Sequence, residues 1–177
     1  MALVASKKRE GLIVANTSNV KEMKNGRPMN VQIPANATEA QLANCMIVKL
    51  KGTLQGTKAE LDHVYEVEVA TAVSQADIEA GIVYVVVAPE IMVEEARMTD
   101  GHIGLFRFEK GDVHTAYQLS MHDRLEVSAN HHALGLGAKV ISTRKIAQGL
   151  VLQPSGAAFN GAELEMTKIE FNFAAAE

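Results

Sequence analysis

The sequence contains no tryptophan, only one cysteine, and just 5% aromatic residues. A single thiol, Cys45, excludes an intrachain disulfide, so synthesis in a reducing, cytosolic compartment is expected. The scarcity of aromatic rings removes the side chains that most often stack on bases or line sugar and cation sites. Small aliphatic residues therefore have to fill the interior.

A concentrated basic surface is also missing, because 17 Lys and Arg residues face 21 Asp and Glu residues. Nucleic-acid partners usually require such a surface, so the sequence argues against one. The start of the chain lacks the apolar core of a signal peptide, and the apolar run 82–88 is too short to cross a bilayer. We therefore expect no membrane contact and no secretion.

What is present suits one folded domain over residues 1–177, since 47% of the 177 residues are hydrophobic and 21% are charged. Residues 1–10 form a candidate N-terminal arm that carries Lys7, Lys8 and Arg9. This basic trio has two interpretations, a solvated tail or an arm that grips an acidic neighbour.

Short apolar and alternating segments, separated by turn residues, dominate the chain. The run 82–88 is bounded by Gly81 and Pro89, which predicts a strand covered on both faces. Alternating segments on either side predict further short strands, with turns between them at 110–112 (KGD) and 120–123 (SMHD). The predicted fold class is mainly β: an antiparallel β-sandwich or a partly open β-barrel with two or three short helices.

Local signals place the helices. Ser74 as N-cap with Asp77 three residues later predicts a helix over 75–80. Proline at its first turn favours a second helix over 89–97, and a capping-box pattern predicts a third over 38–43.

Two further signals concern turns and strand regularity. The pair Asn25-Gly26 is typical of a tight hairpin turn. In the last strand, Leu164 occupies the even phase while Ile169 and Phe171 occupy the odd phase. One regular strand cannot bury both sets, which predicts a bulge near 167–168.

Histidines are the first candidates for chemistry, and they number six: His63, His102, His114, His122, His131 and His132. None forms the i, i+4 pair of a zinc-protease helix, and no second cysteine is available as a ligand. His131 and His132, as neighbours on an extended chain, are expected to point to opposite sides. We therefore predict no metal site.

Other reactive patterns are equally weak. Glu90 and Glu94 share a face of the 89–97 helix beside Glu95, but no apolar pocket is evident that would separate their pKa values. The segment 135–139, GLGAK, lacks the ending of a phosphate-binding loop, and Cys45 is expected to be an inert buried thiol. The sequence predicts no catalytic residues and no cofactor, so we expect a protein that is not an enzyme.

Three segments together form a recognisable pattern: VYVVVAPEIMVEEAR at 83–97, KGDVHTAYQL at 110–119 and HDRLEVSANHHAL at 122–134. Over roughly residues 80–135 the chain resembles the small β-rich head decoration, or cement, proteins of tailed bacteriophages. The resemblance implies a binding role without catalytic residues. It also implies a place on the capsid surface after synthesis in the host cytoplasm.

The expected function is therefore that of a virion structural protein, a capsid decoration protein that bridges neighbouring capsid subunits. Its expected partners are copies of itself, as a homo-oligomer, and a capsid or other virion protein. The glycine-rich, apolar segment 129–162 predicts contact loops. The predicted interaction residues are Lys7, Lys8, Arg9, His131, His132, Leu134 and Leu136.

Two alternatives stay open. One is another phage structural part, a tail-tube or connector subunit. The other is a small metal-dependent hydrolase that uses Glu94 with His114 or His122.

Overall fold

The computed structural model describes residues 15–25, 28–53, 64–87, 108–129, 131–147 and 163–173. Within these ranges the strands are β1 (Ala15–Asn19), β2 (Met29–Gln32), β3 (Met46–Thr53), β4 (Val64–Val69), β5 (Val83–Val86), β6 (Val113–Gln118), β7 (Arg124–Ser128), β8 (Lys139–Ala147) and β9 (Glu163–Glu170). The connecting helices are α1 (Lys21–Asn25), α2 (Gln75–Glu79) and a 3-10 helix (His132–Gly135). None of these helices has the length and hydrophobicity to cross a bilayer. The predicted fold class, mainly β with a few short helices, is confirmed.

Five strands close into a barrel in the order β2-β4-β3-β5-β6. Four neighbouring pairs are antiparallel, and the β2–β4 pair is parallel. A closed ring with an odd number of strands cannot alternate direction all the way round, so one parallel pair is unavoidable. The barrel therefore differs from the expected antiparallel, partly open form in two respects, its closure and this parallel pair.

A buried apolar cluster fills the barrel, and we call it the barrel core. Its side chains come from alternate positions of the five strands, as expected for a closed sheet whose residues point in and out in turn. The segment after β2 adds three more, and Phe108, which precedes β6, adds one. The buried members are Val31, Ile33, Ala37, Leu42, Met46, Val48, Val67, Tyr84, Val86, Phe108 and Ala116.

β5 shows why one strand of the barrel is apolar at every position. Tyr84 and Val86 belong to the barrel core, whereas Val83 and Val85 belong to a second buried cluster outside the barrel. All four side chains are buried. The prediction that this segment is covered on both faces is confirmed.

The second layer is a four-stranded sheet in the order β1-β7-β9-β8, with all described pairs antiparallel. It contributes alternate residues of β7 and β9 to the second cluster, which we call the interlayer core. The barrel contributes the outward side chains of β3 and β5. Its buried members include Ile47, Ile78, Val83, Val85, Leu119, Leu125, Val127, Leu136, Ile169 and Phe171.

Helix α2 forms as its capping residues predict. The Ser74 hydroxyl accepts the Asp77 backbone N–H at 3.2 Å, and the Asp77 carboxylate accepts the Ser74 backbone N–H at 2.8 Å. Gly81 follows the helix with φ of 70°, a left-handed conformation that suits glycine. Lys49 Nζ donates to Asp77 at 2.9 Å, and this bond together with those from Ser74 lowers the pKa of Asp77 to about 2.

The predicted helix over 38–43 is wrong, because residues 39–41 form a single turn and Ala43 forms a β-bridge. Half of the capping box is present: the Gln41 side chain accepts the Thr38 backbone N–H at 2.8 Å. Ala37 and Leu42 instead pack in the barrel core, and β3 begins at Met46. A single turn gains little stability by itself, so this packing decides the local conformation.

The hairpin predicted at Asn25-Gly26 is also wrong, because the strands before and after this turn do not pair with each other. Asn25 ends α1, and Gly26 lies outside the described residues. β1 pairs with β7, while β2 pairs with β4 and β6, so no hairpin joins the strands on either side of this turn. The helix predicted over 89–97 falls outside the described ranges.

The irregularity in the last sheet lies on β8 rather than on β9. β9 pairs with β7 in unbroken register from Met166 to Glu170. The register between β8 and β9 shifts between Val140 and Ser142, which leaves Ile141 as the extra residue. The bulge thus sits beside the predicted position, but on the neighbouring strand.

Candidate interaction surface

Charged side chains occupy the face of the four-stranded sheet that points away from the barrel. Arg124 lies opposite Glu170 and Glu126 lies opposite Lys168, and residues opposite one another share a face. Arg144 lies opposite Met166, two residues before Lys168, and so lies on the same face. We call these side chains, Arg124, Glu126, Arg144, Lys168 and Glu170, the charged face.

Each carboxylate of the charged face is buried beneath an arginine. Arg144 donates through Nε and Nη2 to Glu126, with Nη2–Oε2 at 2.8 Å. Arg124 Nε donates to Glu170 Oε2 at 2.6 Å. The arginine side chains are 62% and 47% exposed for Arg144 and Arg124, whereas both carboxylates are almost covered. The two-point pairing of Arg144 with Glu126 fixes the plane of the Arg144 guanidinium group.

Glu170 collects three donors. His122 Nδ1 lies 3.1 Å from Oε1, Asn172 Nδ2 donates to the same oxygen at 3.2 Å, and Arg124 binds the other oxygen. The bond with His122 is the largest contribution that lowers the pKa of Glu170. Glu170 is therefore charged at neutral pH and anchors this end of the charged face.

The turn before β7 is held by a buried carboxylate that the sequence did not single out. Asp123 accepts the backbone N–H of Ser120 at 2.8 Å and that of Lys21 at 3.1 Å. Burial raises the pKa of Asp123 despite these two donors. The side chain ties α1 to the β6–β7 turn, which is a structural role.

β8 forms one end of the sheet, and in the described part of the chain it pairs only with β9. It is nine residues long and includes two of the three large exposed hydrophobic side chains of the described residues, Val140 at 56% and Ile141 at 41%. Every side chain from Lys139 to Lys145 is exposed. We call residues 141–145 the β8 edge.

The predicted interaction residues divide into two groups. Lys7, Lys8 and Arg9 lie outside the described residues. The other four lie in and around the 3-10 helix: His131 and Leu136 are buried, while His132 and Leu134 are partly buried. Leu134 and Leu136 pack in or against the interlayer core, so in this chain they make internal contacts. That a partner also contacts this loop stays a prediction.

His131 and His132 do not point to opposite sides, so that expectation is wrong. Their rings stack with centroids 5.2 Å apart and an interplanar angle of 28°. The reason is local: His131 is the N-cap of the 3-10 helix, and the chain is not extended beyond it. His131 Nδ1 accepts the Ala133 backbone N–H at 3.1 Å, which leaves Nε2 to donate to the Asn44 carbonyl at 2.9 Å.

The His132 side chain accepts a backbone N–H of β3 in the place of a backbone carbonyl. Its Nε2 accepts the Ile47 backbone N–H at 3.0 Å, so the ring proton resides on Nδ1. Burial, and to a smaller extent the neighbouring His131, lowers the pKa of His132 to about 3. A neutral imidazole is required, since a protonated ring would aim an N–H at the Ile47 N–H. The two histidines thus fasten the loop to the barrel.

In the described part of the chain, the histidines and glutamates considered as catalytic or metal-binding residues do not come together in one site. His122 binds Glu170, and the His114 ring lies against Phe108 at an interplanar angle of 57°, with ring centroids 4.6 Å apart. Glu90, Glu94 and Glu95, with His63 and His102, fall outside the described ranges. Among the residues that are described, no three metal-ligating side chains come together.

Cys45 is buried, as predicted, and has an unusual backbone conformation with φ of 64°. The Asn44 side chain accepts the Cys45 backbone N–H at 3.0 Å, and the Asn44 carbonyl is held by His131. Side chains with a local acceptor stabilise such left-handed turns. The Cys45 side chain packs in the interlayer core, and this position fits an inert structural role for the thiol.

A groove of about 500 Å³ opens beside the barrel wall. Its charged lining residues are Lys51, Glu66 and Glu68. Lys51 Nζ lies 3.5 Å from Glu66, and both side chains are about half exposed, so this pair is largely screened by water. The described lining includes no histidine, cysteine or serine.

Comparisons with protein-family models, with curated proteins and with solved structures found no match.

Proposed function

We propose that the chain is a virion structural protein that decorates the capsid of a tailed bacteriophage and stabilises the head by bridging neighbouring subunits. The observation that carries the proposal is the four-stranded sheet, with its exposed β8 edge and its charged face. A sheet of this kind offers backbone groups, apolar side chains and fixed charges to a flat partner.

The resemblance over residues 80–135 supports the same assignment. This stretch includes β5, β6 and β7, which are the strands that join the barrel to the sheet. Its two turn motifs, at 110–112 and 120–123, form turns in the structure. The motif therefore builds the scaffold from which the contact surface is presented.

The energetic argument relies on repetition. A single protein–protein contact of modest area is weak, but a capsid lattice repeats the same contact by symmetry. A decoration protein that touches two capsid subunits at once gains from the high effective concentration of the second site. A stiff, ligand-independent β body suits that task, since little conformational freedom is lost on binding.

The decisive experiment adds the purified protein to capsids that have been emptied and stripped of surface proteins. We expect saturable binding and a higher temperature of capsid disruption than that of untreated capsids. Electron micrographs of the mixture should show added density on the outer surface. A monomeric protein that leaves capsid stability unchanged would contradict the proposal.

A tail-tube or connector subunit is the second candidate, and one observation favours it. The described sheet ends in β1 on one side and β8 on the other. Head-to-tail pairing of β8 with β1 of the next copy would be heterologous and could close into a ring. Negative-stain images of the isolated protein separate the candidates, because rings or tubes indicate the tail-tube role and density on shells indicates decoration.

A further inference from the structure

We propose that the β8 edge pairs with the β8 edge of a second copy, antiparallel and about a two-fold axis at Thr143. This inference deepens the proposed function, on which its biological meaning rests, by naming the self-contact of the homo-oligomer. The pairing joins two four-stranded sheets into one continuous sheet. Both barrels then lie on the same side of it, because the axis is perpendicular to the sheet.

The first argument is the alternation of side chains. Thr143 lies opposite Thr167, and Lys145 lies opposite Glu165, so both point to the barrel side of the sheet. Ser142 lies opposite Lys168, so Ser142 and Arg144 point to the charged face. A partner strand must match these directions, which restricts the registers that are available.

The second argument is charge. With the axis at Thr143, Ile141 meets Lys145, Ser142 meets Arg144 and Thr143 meets Thr143 of the second copy. No two cations are directly opposite, and a Thr–Thr pair is among the favourable cross-strand pairs. Moving the axis to Arg144 or Lys145 would instead oppose two like charges. The register at Thr143 is the one that uses all five residues of the β8 edge.

The third argument concerns how the cations are balanced. Arg144 is bound by Glu126 of its own chain, and Lys145 lies opposite Glu165 on β9. Two β8 edges can therefore approach without a net repulsion from unpaired cations. The bulge at Ile141 and the lysine at 145, which are common protections of edge strands, lie opposite each other in this register and weaken the contact.

The pairing has a consequence for the proposed function. The charged face of one copy becomes continuous with that of the second copy across eight strands, which doubles the flat surface available to a capsid. A five-residue strand contact is small on its own. We expect the dimer to be weak in solution and to be strengthened when both charged faces bind one lattice.

A charge exchange at Thr143 tests the register. Thr143→Lys and Thr143→Glu each place two like charges across the axis, so each variant alone should dimerise about tenfold more weakly than the unchanged protein. An equal mixture of the two variants should recover dimers. Analytical ultracentrifugation of the full chain over a range of concentrations measures all three samples.

A cross-linking experiment provides an independent readout. In Thr143→Cys, the two thiols meet across the axis and should form a disulfide-linked dimer under mild oxidation. Glu79→Cys is the matched control, because Glu79 is exposed on α2, away from the β8 edge, and Cys45 is buried in both variants. Circular dichroism confirms that each variant is folded.

The inference is overturned if the unchanged protein remains monomeric at all concentrations, or if both charge variants dimerise as it does. It is also overturned if Thr143→Cys cross-links no faster than Glu79→Cys. If these results occur while the protein still binds capsids, the β8 pairing fails and the decoration role stands. If the β8 dimer forms but capsids are not bound, the proposed function fails and the pairing stands.

Discussion

In the barrel every strand has a hydrogen-bonded neighbour on both sides, whereas in the described part of the four-stranded sheet β1 and β8 have a neighbour on one side only. The barrel core is apolar, while the sheet covers the interlayer core with one face and presents paired charges on the other. Closure removes the edges through which sheets associate, and an open sheet keeps them. Under the proposed function, the barrel therefore supplies stability and the sheet supplies contact.

The largest expected effect comes from opening a cavity in the barrel. Phe108 is fully buried in the barrel core, and its backbone N–H donates to the Leu42 carbonyl at 2.8 Å. Phe108→Ala should lower the free energy of unfolding by about 3–5 kcal/mol, because it removes a buried ring and leaves a cavity. Urea denaturation followed by circular dichroism measures the change.

Val113→Ala is the matched control for this comparison. Val113 lies on the barrel strand β6 but is 41% exposed, so its truncation should change the free energy of unfolding by less than about 0.5 kcal/mol. Similar losses for both variants would show that the barrel core is not the main source of stability.

The next effect concerns the junction between the layers, where His132 binds the Ile47 backbone N–H. The pKa of His132 is lowered to about 3 in the folded protein, from about 6.5 in the unfolded chain. Below pH 6.5 the unfolded chain binds a proton that the folded protein does not, so stability falls as the pH drops from 6.5 towards 3. The loss should amount to a few kcal/mol at pH 4.

His132→Gln separates this ionisation from the hydrogen bond, because a glutamine side chain can accept the Ile47 N–H but does not titrate. We expect a flatter dependence of stability on pH between 4 and 6.5, measured by urea denaturation at several pH values. Lys110→Gln is the control, since Lys110 is exposed in the turn before β6 and takes no part in the junction between the layers. An unchanged slope in His132→Gln would show that other groups cause the acid sensitivity.

The comparison of the two layers also explains which structural features could be predicted from the sequence alone. The apolar run of β5, the cap of α2 and the turns at 110–112 and 120–123 depend on neighbouring residues, and the structure confirms them. Barrel closure depends on which distant strands meet. The parallel β2–β4 pair therefore had no local signal.

The candidate surface shows the same limit. Arg144 and Glu126 are separated by 18 residues, and only the shared sheet brings them together through β9. The histidine pair was mispredicted because a 3-10 helix, which no capping pattern had indicated, replaces an extended chain at His132. The bulge was assigned to the wrong strand, since a phase slip in one strand does not reveal which partner supplies the extra residue.

The smallest expected effect on stability, and the one that most sharpens the division of tasks, concerns the basic trio Lys7, Lys8 and Arg9. Replacing all three with alanine should change the free energy of unfolding by less than about 0.5 kcal/mol, because isolated surface charges contribute little. If the trio grips an acidic neighbour, capsid binding should weaken, and it should lose most of its dependence on salt. Surface charges are screened over about 10 Å at 0.1 M salt, so binding is measured from low to high ionic strength.

The matched control replaces Lys21, Lys51 and Lys110, three exposed lysines of the described chain, and changes the net charge equally. A loss of binding in both variants would indicate a general effect of net charge rather than an arm. Unchanged binding of the Lys7, Lys8 and Arg9 variant across salt would remove the arm from the contact and leave the four-stranded sheet as its source. Weakened binding in that variant alone would place the N-terminal arm in the contact.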